Sequence, residues 1–379
     1  MEDSVFDIAV IGAGIAGAAA AWALAGRHRV LLLEAEDQPG YHSTGRSVAI
    51  LSRTYGSDQV RALTAASQSF LAAPPNGFAE NPLLTPRGLL FAAGPDDGHR
   101  LDDLAARADA VGVSVRHLNA ASALSLVPVL RPECLAAALY EPAAADIDVA
   151  ALHAGFLRGA RRRGTQLLCG ARVASLDRSG GVWQIACGDR HFSALMIVNA
   201  AGAWADNVAE LAGVAPVGIS PLARTVATFD PAAEVDSGDW PMVMAADHTY
   251  YFKPDSGRVL ASLSDEQPAV AGDVQPEELH LAELINRLEQ ATTMVPRRLH
   301  SRWAGLRSFA PDRNLVCGRD PAQPAFFWLA GQGGFGIQTA PAVAQLVAAL
   351  VNGDALPEQL AAAGVCANAL VPDRLRLSE

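Results

Sequence analysis

The chain has 379 residues, 50% of them hydrophobic and 18% charged, which describes a globular protein with a large core rather than a disordered one. The formal net charge is −11 and no basic block is longer than Arg161-Arg162-Arg163, so nucleic acid is not an expected partner. The five cysteines (Cys134, Cys169, Cys187, Cys317, Cys366) are far apart and the nine histidines are scattered, so neither a disulfide framework nor a metal site is expected, and a reducing cytoplasm fits. Lys253 is the only lysine, so a pyridoxal Schiff base would have to use it.

From the amino end, residues 6–11 read as a buried strand. Gly12-Ala13-Gly14-Ile15-Ala16-Gly17 reads as a tight turn opening an alanine-rich helix, and residues 29–33 as a second strand ending on Glu34. Gly12 permits the turn, Gly14 lets the backbone approach a pyrophosphate, and Gly17 lets the helix pack closely on the strand. The helix N-terminus at Ile15 and Ala16 offers N–H groups and partial positive charge to phosphates. Glu34, followed by Ala35, lies 17 residues after Gly17, where a carboxylate can hold a ribose hydroxyl. The context of strand, turn, helix and acid predicts dinucleotide binding. Residues 8–26 carry no charge and are long enough for a membrane span. The glycine spacing and the following strand favour a βαβ unit instead, and no basic region precedes them as in a secretory signal.

Gln38-Pro39-Gly40-Tyr41-His42-Ser43-Thr44-Gly45-Arg46-Ser47 is a loop rich in small residues and hydroxyls, able to aim N–H and O–H donors at a pyrophosphate or a ring edge; an ordinary surface turn with a helix cap is the plainer reading. Residues 59–71 read as a helix broken by Pro74-Pro75-Asn76-Gly77, residues 87–93 as a strand and 101–110 as a helix. Asp146-Ile147-Asp148 caps a helix over 149–163, whose basic end suits its C-terminus. A meander is expected over 166–168, 171–177 and 182–187. A buried strand over 194–198 then runs into Asn199-Ala200-Ala201-Gly202-Ala203-Trp204, a second small-residue loop suited to a nucleotide. Residues 225–229, 242–246, 250–253 and 259–263 read as strands of an antiparallel sheet, and 277–292 as a helix. Trp303-Ala304-Gly305-Leu306-Arg307-Ser308-Phe309 brings an arginine into an apolar segment, and residues 326–330 form a buried strand.

Gly331-Gln332-Gly333-Gly334-Phe335-Gly336-Ile337-Gln338-Thr339 follows, ahead of an apolar helix over 340–351. So many glycines carry an entropic cost. They fit a flat ring touching the backbone with a helix N-terminus aimed at it, which would stabilise the negative charge of a reduced flavin. A tight connection without a ligand is the alternative.

Taken together, these motifs resemble the D-amino-acid oxidase superfamily of FAD enzymes, and within it the bacterial D-arginine dehydrogenases, over about residues 6–375. The resemblance implies an α/β fold: a Rossmann-type FAD-binding domain (1–75, 145–218, 303–379) and an α+β substrate domain (76–144, 219–302) with a mixed, largely antiparallel sheet. It implies non-covalent FAD, since the arginine segment lacks the tethering cysteine of some relatives. The implied cofactor contacts are Gly12, Gly14, Ile15, Ala16, Gly17, Glu34, Ala35, Ser43, Thr44, Arg46, Ser47 and Val173. Ala201, Gly202 and Trp204 join them, as do Arg307, Gly331, Gly333, Gly334, Phe335, Gly336, Ile337 and Gln338. Arg307 and Tyr251 are implied on a substrate carboxylate, where a planar guanidinium pairs bidentately and a phenol adds a neutral donor. Arg224 and Tyr55 match further site positions, and Gly333 and Gln338 lie beside flavin and substrate; a domain-interface ion pair is the alternative for Arg224.

Two departures from the D-arginine enzymes stand out. Leu89 takes the place of an acid expected to hold a distal guanidinium, and Ile50 that of a histidine. With Met242 and Met244 these form an expected apolar pocket. The expected reaction is therefore oxidative deamination of a neutral or apolar D-amino acid to the imino or 2-oxo acid, by hydride transfer to flavin N5, with oxygen or a quinone as electron acceptor. The alternatives are a 2-hydroxy-acid dehydrogenase using His42 or His248 as base, a glycine/sarcosine-type amine oxidase, and a flavin-binding electron-transfer subunit. A nicotinamide dehydrogenase would leave the terminal glycine loop unexplained. No transmembrane segment is expected; a cytoplasmic location, with peripheral contact to an inner membrane left open, completes the reading.

Overall fold

The computed structural model describes residues 5–231 and 237–376. The chain forms β1 (Phe6–Ile11), α1 (Ile15–Leu24), β2 (Val30–Leu33), β3 (Ile50–Leu51), α2 (Asp58–Ala72), β4 (Leu84–Pro86), β5 (Leu89–Ala93), α3 (Gly98–Ala110), β6 (Arg116–Asn119), α4 (Ala120–Leu126), β7 (Ala137–Glu141) and β8 (Ala145–Ile147). Next come α5 (Val149–Arg162), β9 (Gln166–Leu168), β10 (Ser175–Ser179), β11 (Val182–Cys187), β12 (Arg190–Asn199), α6 (Ala205–Leu211), β13 (Ser220–Phe229), β14 (Met242–Ala245), β15 (Tyr251–Asp255) and β16 (Arg258–Ser262). The chain closes with β17 (Gln267–Pro268), α7 (Glu278–Ala291), β18 (Leu299–Phe309), β19 (Val316–Arg319), β20 (Phe326–Ala330), α8 (Gly336–Asn352) and α9 (Glu358–Ala362).

The first sheet runs β10-β11-β12-β1-β2-β9, with β20 beside the far half of β12 and β19 beyond it. β12, β1, β2 and β9 are mutually parallel, as a Rossmann-type arrangement requires. Alternate residues of β1 face opposite layers: Ile8 and Val10 pack with α1 and α8, while Ala9 and Ile11 pack with the meander and α6. A sheet covered on both faces is why β1, β2 and β20 read as continuous apolar runs.

The second sheet runs β17-β13-β16-β15-β14-β5-β7-β6, with β18 along β13. It is antiparallel except where β14 pairs with β5 in parallel, so the mixed, largely antiparallel sheet expected from sequence is found. A small sheet, β3-β8-β4, joins the two halves.

Two details depart from the sequence reading. Residues 166–168 are not part of the meander; β9 sits on the opposite edge, parallel to β2, and the meander is β10-β11-β12. The boundary expected at residue 303 falls inside β18, which pairs with β13 from Leu299 to Phe309 and so belongs to the larger sheet. The uncharged run 8–26 is divided into a strand, a turn and the ten-residue α1, and among the described residues no helix is long and apolar enough to cross a membrane.

Gly17 earns its place by contact: a Cβ there would lie 1.8 Å from the carbonyl oxygen of Gly12. Gly17→Ala is expected to destabilise the fold by about 1–3 kcal/mol through overpacking and to reduce FAD retention, both readable by thermal unfolding and flavin content of the purified variant.

Candidate active site

One cleft runs between the two large sheets, and most of the residues singled out by sequence line it. At the nucleotide-sheet end stand Gly12, Gly14, Ile15 and Ala16 with Glu34 and Ala35, and facing them Val173, Ala201, Gly202 and Trp204. The middle is formed by Ser43, Thr44, Arg46 and Ser47 against Gly333, Gly334, Gly336, Ile337 and Gln338. The far end carries Ile50, Tyr55, Arg224, Met242, Met244, Tyr251 and Arg307.

Four expected residues do not line the cleft. Gly17 packs α1 on the glycine turn. Leu89 is buried in the core with Met242, because β5 is covered on both sides. Gly331 makes the turn after β20 at φ +73°. Phe335 packs on the Tyr55 ring, 5.0 Å between centroids. Val48, Ala49 and Val226, none of which the sequence marked, also line the cleft.

The nucleotide end is braced from within. Glu34 accepts the Ala13 N–H at 2.9 Å on one carboxylate oxygen and the Glu36 N–H at 3.0 Å on the other, leaving further lone pairs for a ligand. Thr44 Oγ1 accepts the Ile15 N–H at 2.9 Å, satisfying one free donor at the start of α1. The hydroxyl-rich loop is also stitched to β18. Ser43 Oγ donates to the Leu306 carbonyl at 2.7 Å, Arg46 Nη1 to that of Ala304 at 2.8 Å, and Trp303 Nε1 to that of Arg46 at 3.2 Å. This loop therefore fixes the strand that presents Arg307.

Two arginines converge at the far end. Arg224 lines the cleft and is also ion-paired: its Nε donates to the Asp265 carbonyl at 2.6 Å, and its guanidinium lies 3.8 Å from the Asp265 carboxylate and 3.6 Å from Glu266, both within the expected substrate domain rather than across a domain interface. Burial lowers its pKa, and the neighbouring Arg307 adds to the effect. Among the described residues no carboxylate forms an ion pair with Arg307. Burial works against its charge as well, yet the oxygens of Tyr55 and Tyr251, with Glu266 further off, raise its pKa overall. A Cβ on Gly334 would fall 2.9 Å from Arg307 Nη1, so the glycine makes room for the guanidinium. Tyr251 Oη and Gln338 Nε2 are buried without a hydrogen-bond partner among the described residues.

The carboxylates and the imidazole of the cleft wall, Glu34, Glu36 and His42, sit together at the nucleotide end. His42 Nε2 lies 3.0 Å from Glu36, and its ring packs on Trp204 with 4.6 Å between centroids. His248 does not line the cleft; its Nδ1 lies 3.1 Å from Met244 Sδ. The His248 ring centroid also lies 6.3 Å from that of Tyr55, behind the lining of the far end. No cysteine lines the cleft among the described residues, and Cys317 is buried in the core.

A family model described as DAO, FAD dependent oxidoreductase, matches residues 7–350. The chain is 26% identical over 367 residues to glycine oxidase of Geobacillus kaustophilus, covering 92% of this chain and 93% of that protein. It is 25% identical over 264 residues to the oxidoreductase YurR of Bacillus subtilis, covering 68% and 70%. Among solved structures, L-proline dehydrogenase from P. horikoshii superposes with a TM-score of 0.86 over 99% of both chains at 22% identity, a likeness of fold.

The glycine turn has one more support. His153, buried on α5, holds its Nε2 2.8 Å from the Ala13 carbonyl. Burial is the largest cause of its pKa falling below 6.5, so the ring is neutral and donates that bond. Between the lowered folded value and the unfolded value the folded chain binds fewer protons than the unfolded one. Stability is thus fully present above pH 6.5 and lost as pH falls through the folded value. Thermal midpoints measured from pH 8 downward are expected to show this loss, and His153→Gln, which keeps a donor to Ala13, is expected to reduce it.

Proposed function

The chain belongs to the FAD-dependent oxidoreductase family, and from that premise we propose that it oxidises the amine of a small D-amino acid with a neutral or apolar side chain to the imino acid, which water converts to the 2-oxo acid. The observation that carries this reading is Arg307, a cation on the cleft wall without an ion-pair partner among the described residues, sharing that wall with Ile50, Val226, Met242 and Met244.

The cleft fits the cofactor. Backbone free of side chains at Gly12 and Gly14, the Glu34 carboxylate and the Ser43–Ser47 hydroxyls suit a dinucleotide, and the glycine loop 331–338 suits a flat ring. These residues, with Val173 and Gly202, would hold FAD, non-covalently since no cysteine lines the cleft. When bound, FAD supplies the acceptor for the two electrons and the α-hydrogen.

The chain's own residues do the rest. The Arg307 guanidinium pairs with the substrate carboxylate through two parallel N–H donors, and the buried Tyr251 hydroxyl supplies a third. This anchor fixes the α-carbon while the methionines and Ile50 enclose the side chain. A second cation on the substrate finds no partner. Leu89 is buried behind the wall, and Glu141, opposite it in the β5–β7 ladder, is already bonded to Ser52, Thr54 and the Arg53 N–H. A guanidinium buried without its acid would lose about 3–5 kcal/mol. Since no acid or imidazole lines the far end among the described residues, the amine must arrive neutral, its lone pair free to form the C=N bond. Glycine or an N-methylglycine is a second reading, favoured by the nearly full-length match to glycine oxidase.

Three measurements test this. Arg307→Met is expected to raise KM about 100-fold for an amino acid, the loss of a bidentate charged pair, with bound FAD retained. D-leucine, D-methionine or D-phenylalanine is expected to exceed D-arginine in kcat/KM; dominant D-arginine turnover would overturn the assignment, and dominant glycine turnover would select the second reading. The kcat/KM is expected to rise with pH through one ionisation that follows the substrate's amine pKa, whereas a flat profile would contradict amine oxidation.

A further inference from the structure

Behind the cleft wall lies a buried polar cluster that the reaction as described does not use. Glu141, at the end of β7, is 2% exposed, Ser52 1%, Thr54 2% and Gln338 4%. The Glu141 carboxylate accepts Ser52 Oγ–H at 2.7 Å and Thr54 Oγ1–H at 2.8 Å on one oxygen, and the Arg53 N–H at 3.2 Å on the other. Three consecutive residues thus wrap one anion, and Tyr55, which faces Arg307, is the next residue along the chain.

The cluster reaches the cleft through one bond. The Ser52 backbone N–H donates to Gln338 Oε1 at 3.2 Å. A backbone N–H can only donate, so this bond assigns the amide: the oxygen faces Ser52 and the NH2 faces away. That Nε2 is buried and without a partner among the described residues, on a residue of the first turn of α8 that lines the cleft. A buried amide donor with no acceptor calls for an oxygen acceptor on a bound molecule.

We propose that Glu141 is a positioning residue for the reaction: through Ser52 it holds the Gln338 amide as a donor to a carbonyl or carboxylate oxygen of the molecules in the cleft, and through Thr54 it holds Tyr55 in place against Arg307. This rests on reading the cleft as the flavin and substrate site. A carboxylate suits the task because it accepts all three bonds at once. A glutamine at 141 keeps the shape but turns an NH2 toward the two hydroxyls, and the grip on Ser52 loosens.

The test compares Glu141→Gln, Gln338→Leu and the double variant with the unchanged protein, each loaded with FAD. Both single variants are expected to shift the visible flavin spectrum in the same sense and to lower kcat/KM for a neutral amino acid about tenfold, the loss of one hydrogen bond. The double variant is expected to be no worse than the poorer single one, because the two residues act along one path. Losses that multiply in the double variant would overturn the proposal. So would Glu141→Gln with an altered thermal midpoint but unchanged spectrum and kinetics. Should Glu141→Gln not fold, Ser52→Ala and Thr54→Val each remove one arm and are read in the same way. If the unchanged protein binds FAD yet oxidises no amine, the oxidase reading fails, while the spectral comparison still decides the role of Glu141.

Discussion

An arginine without a carboxylate partner among the described residues, set in the wall of a cleft between two sheets, is the constraint that the rest of this structure accommodates. Burial opposes the charge on Arg307, and the oxygens of Tyr55 and Tyr251, with Glu266 further off, offset it. An acid would neutralise the guanidinium and leave nothing for a substrate. A guanidinium is charged at ordinary pH, and neutral phenols add hydrogen-bonding oxygens beside it without taking up that charge. Its neighbour Arg224 shows the contrast. Asp265 and Glu266 lie within ion-pair distance of that charge, whereas among the described residues Arg307 has no such partner.

Holding such a group in place takes strong backbone support. β18 runs along β13 from Leu299 to Phe309, and the loop at Ser43 and Arg46 is bonded to the same strand from the other side. The two halves of the molecule thus meet at the strand that carries the cation. Missing side chains serve the same end. A Cβ at Gly334 would strike Arg307, one at Gly333 would strike the Phe309 ring, and one at Gly12 would strike the Ala200 carbonyl. Glycine at both ends of the cleft is a matter of space as well as of backbone angle.

Much of the fold was legible in the sequence because its strongest signals fall in a fixed order. A strand, a glycine turn, a helix and a second strand running into Glu34 admit few folds, and Glu34 braces the turn at Ala13. Arg307 was legible as a cation in an apolar segment, whereas Tyr251 was named only through the family resemblance. Other features were hidden for definite reasons. Leu89 lies on a strand buried on both faces, so alternation could not say which side it takes. β18 contributes to both halves, so a domain boundary drawn at residue 303 cuts through it. Glu141 sits in a stretch with no motif, and its importance arises only from a cross-strand neighbour and a loop nearly ninety positions earlier in the chain. His42 and His248 are ordinary histidines in sequence; only the fold shows one held by Glu36 and the other against a methionine sulfur.

The most direct measurement is anaerobic mixing of the FAD-loaded protein with a neutral D-amino acid and, separately, with its carboxamide, while following the flavin's visible absorbance. The amino acid should bleach the flavin, and the carboxamide, which offers Arg307 no anion, should do so far more slowly at equal concentration. Equal bleaching by both compounds, or none by any small amine carboxylate, would contradict the role given to Arg307 and with it the account of the cleft.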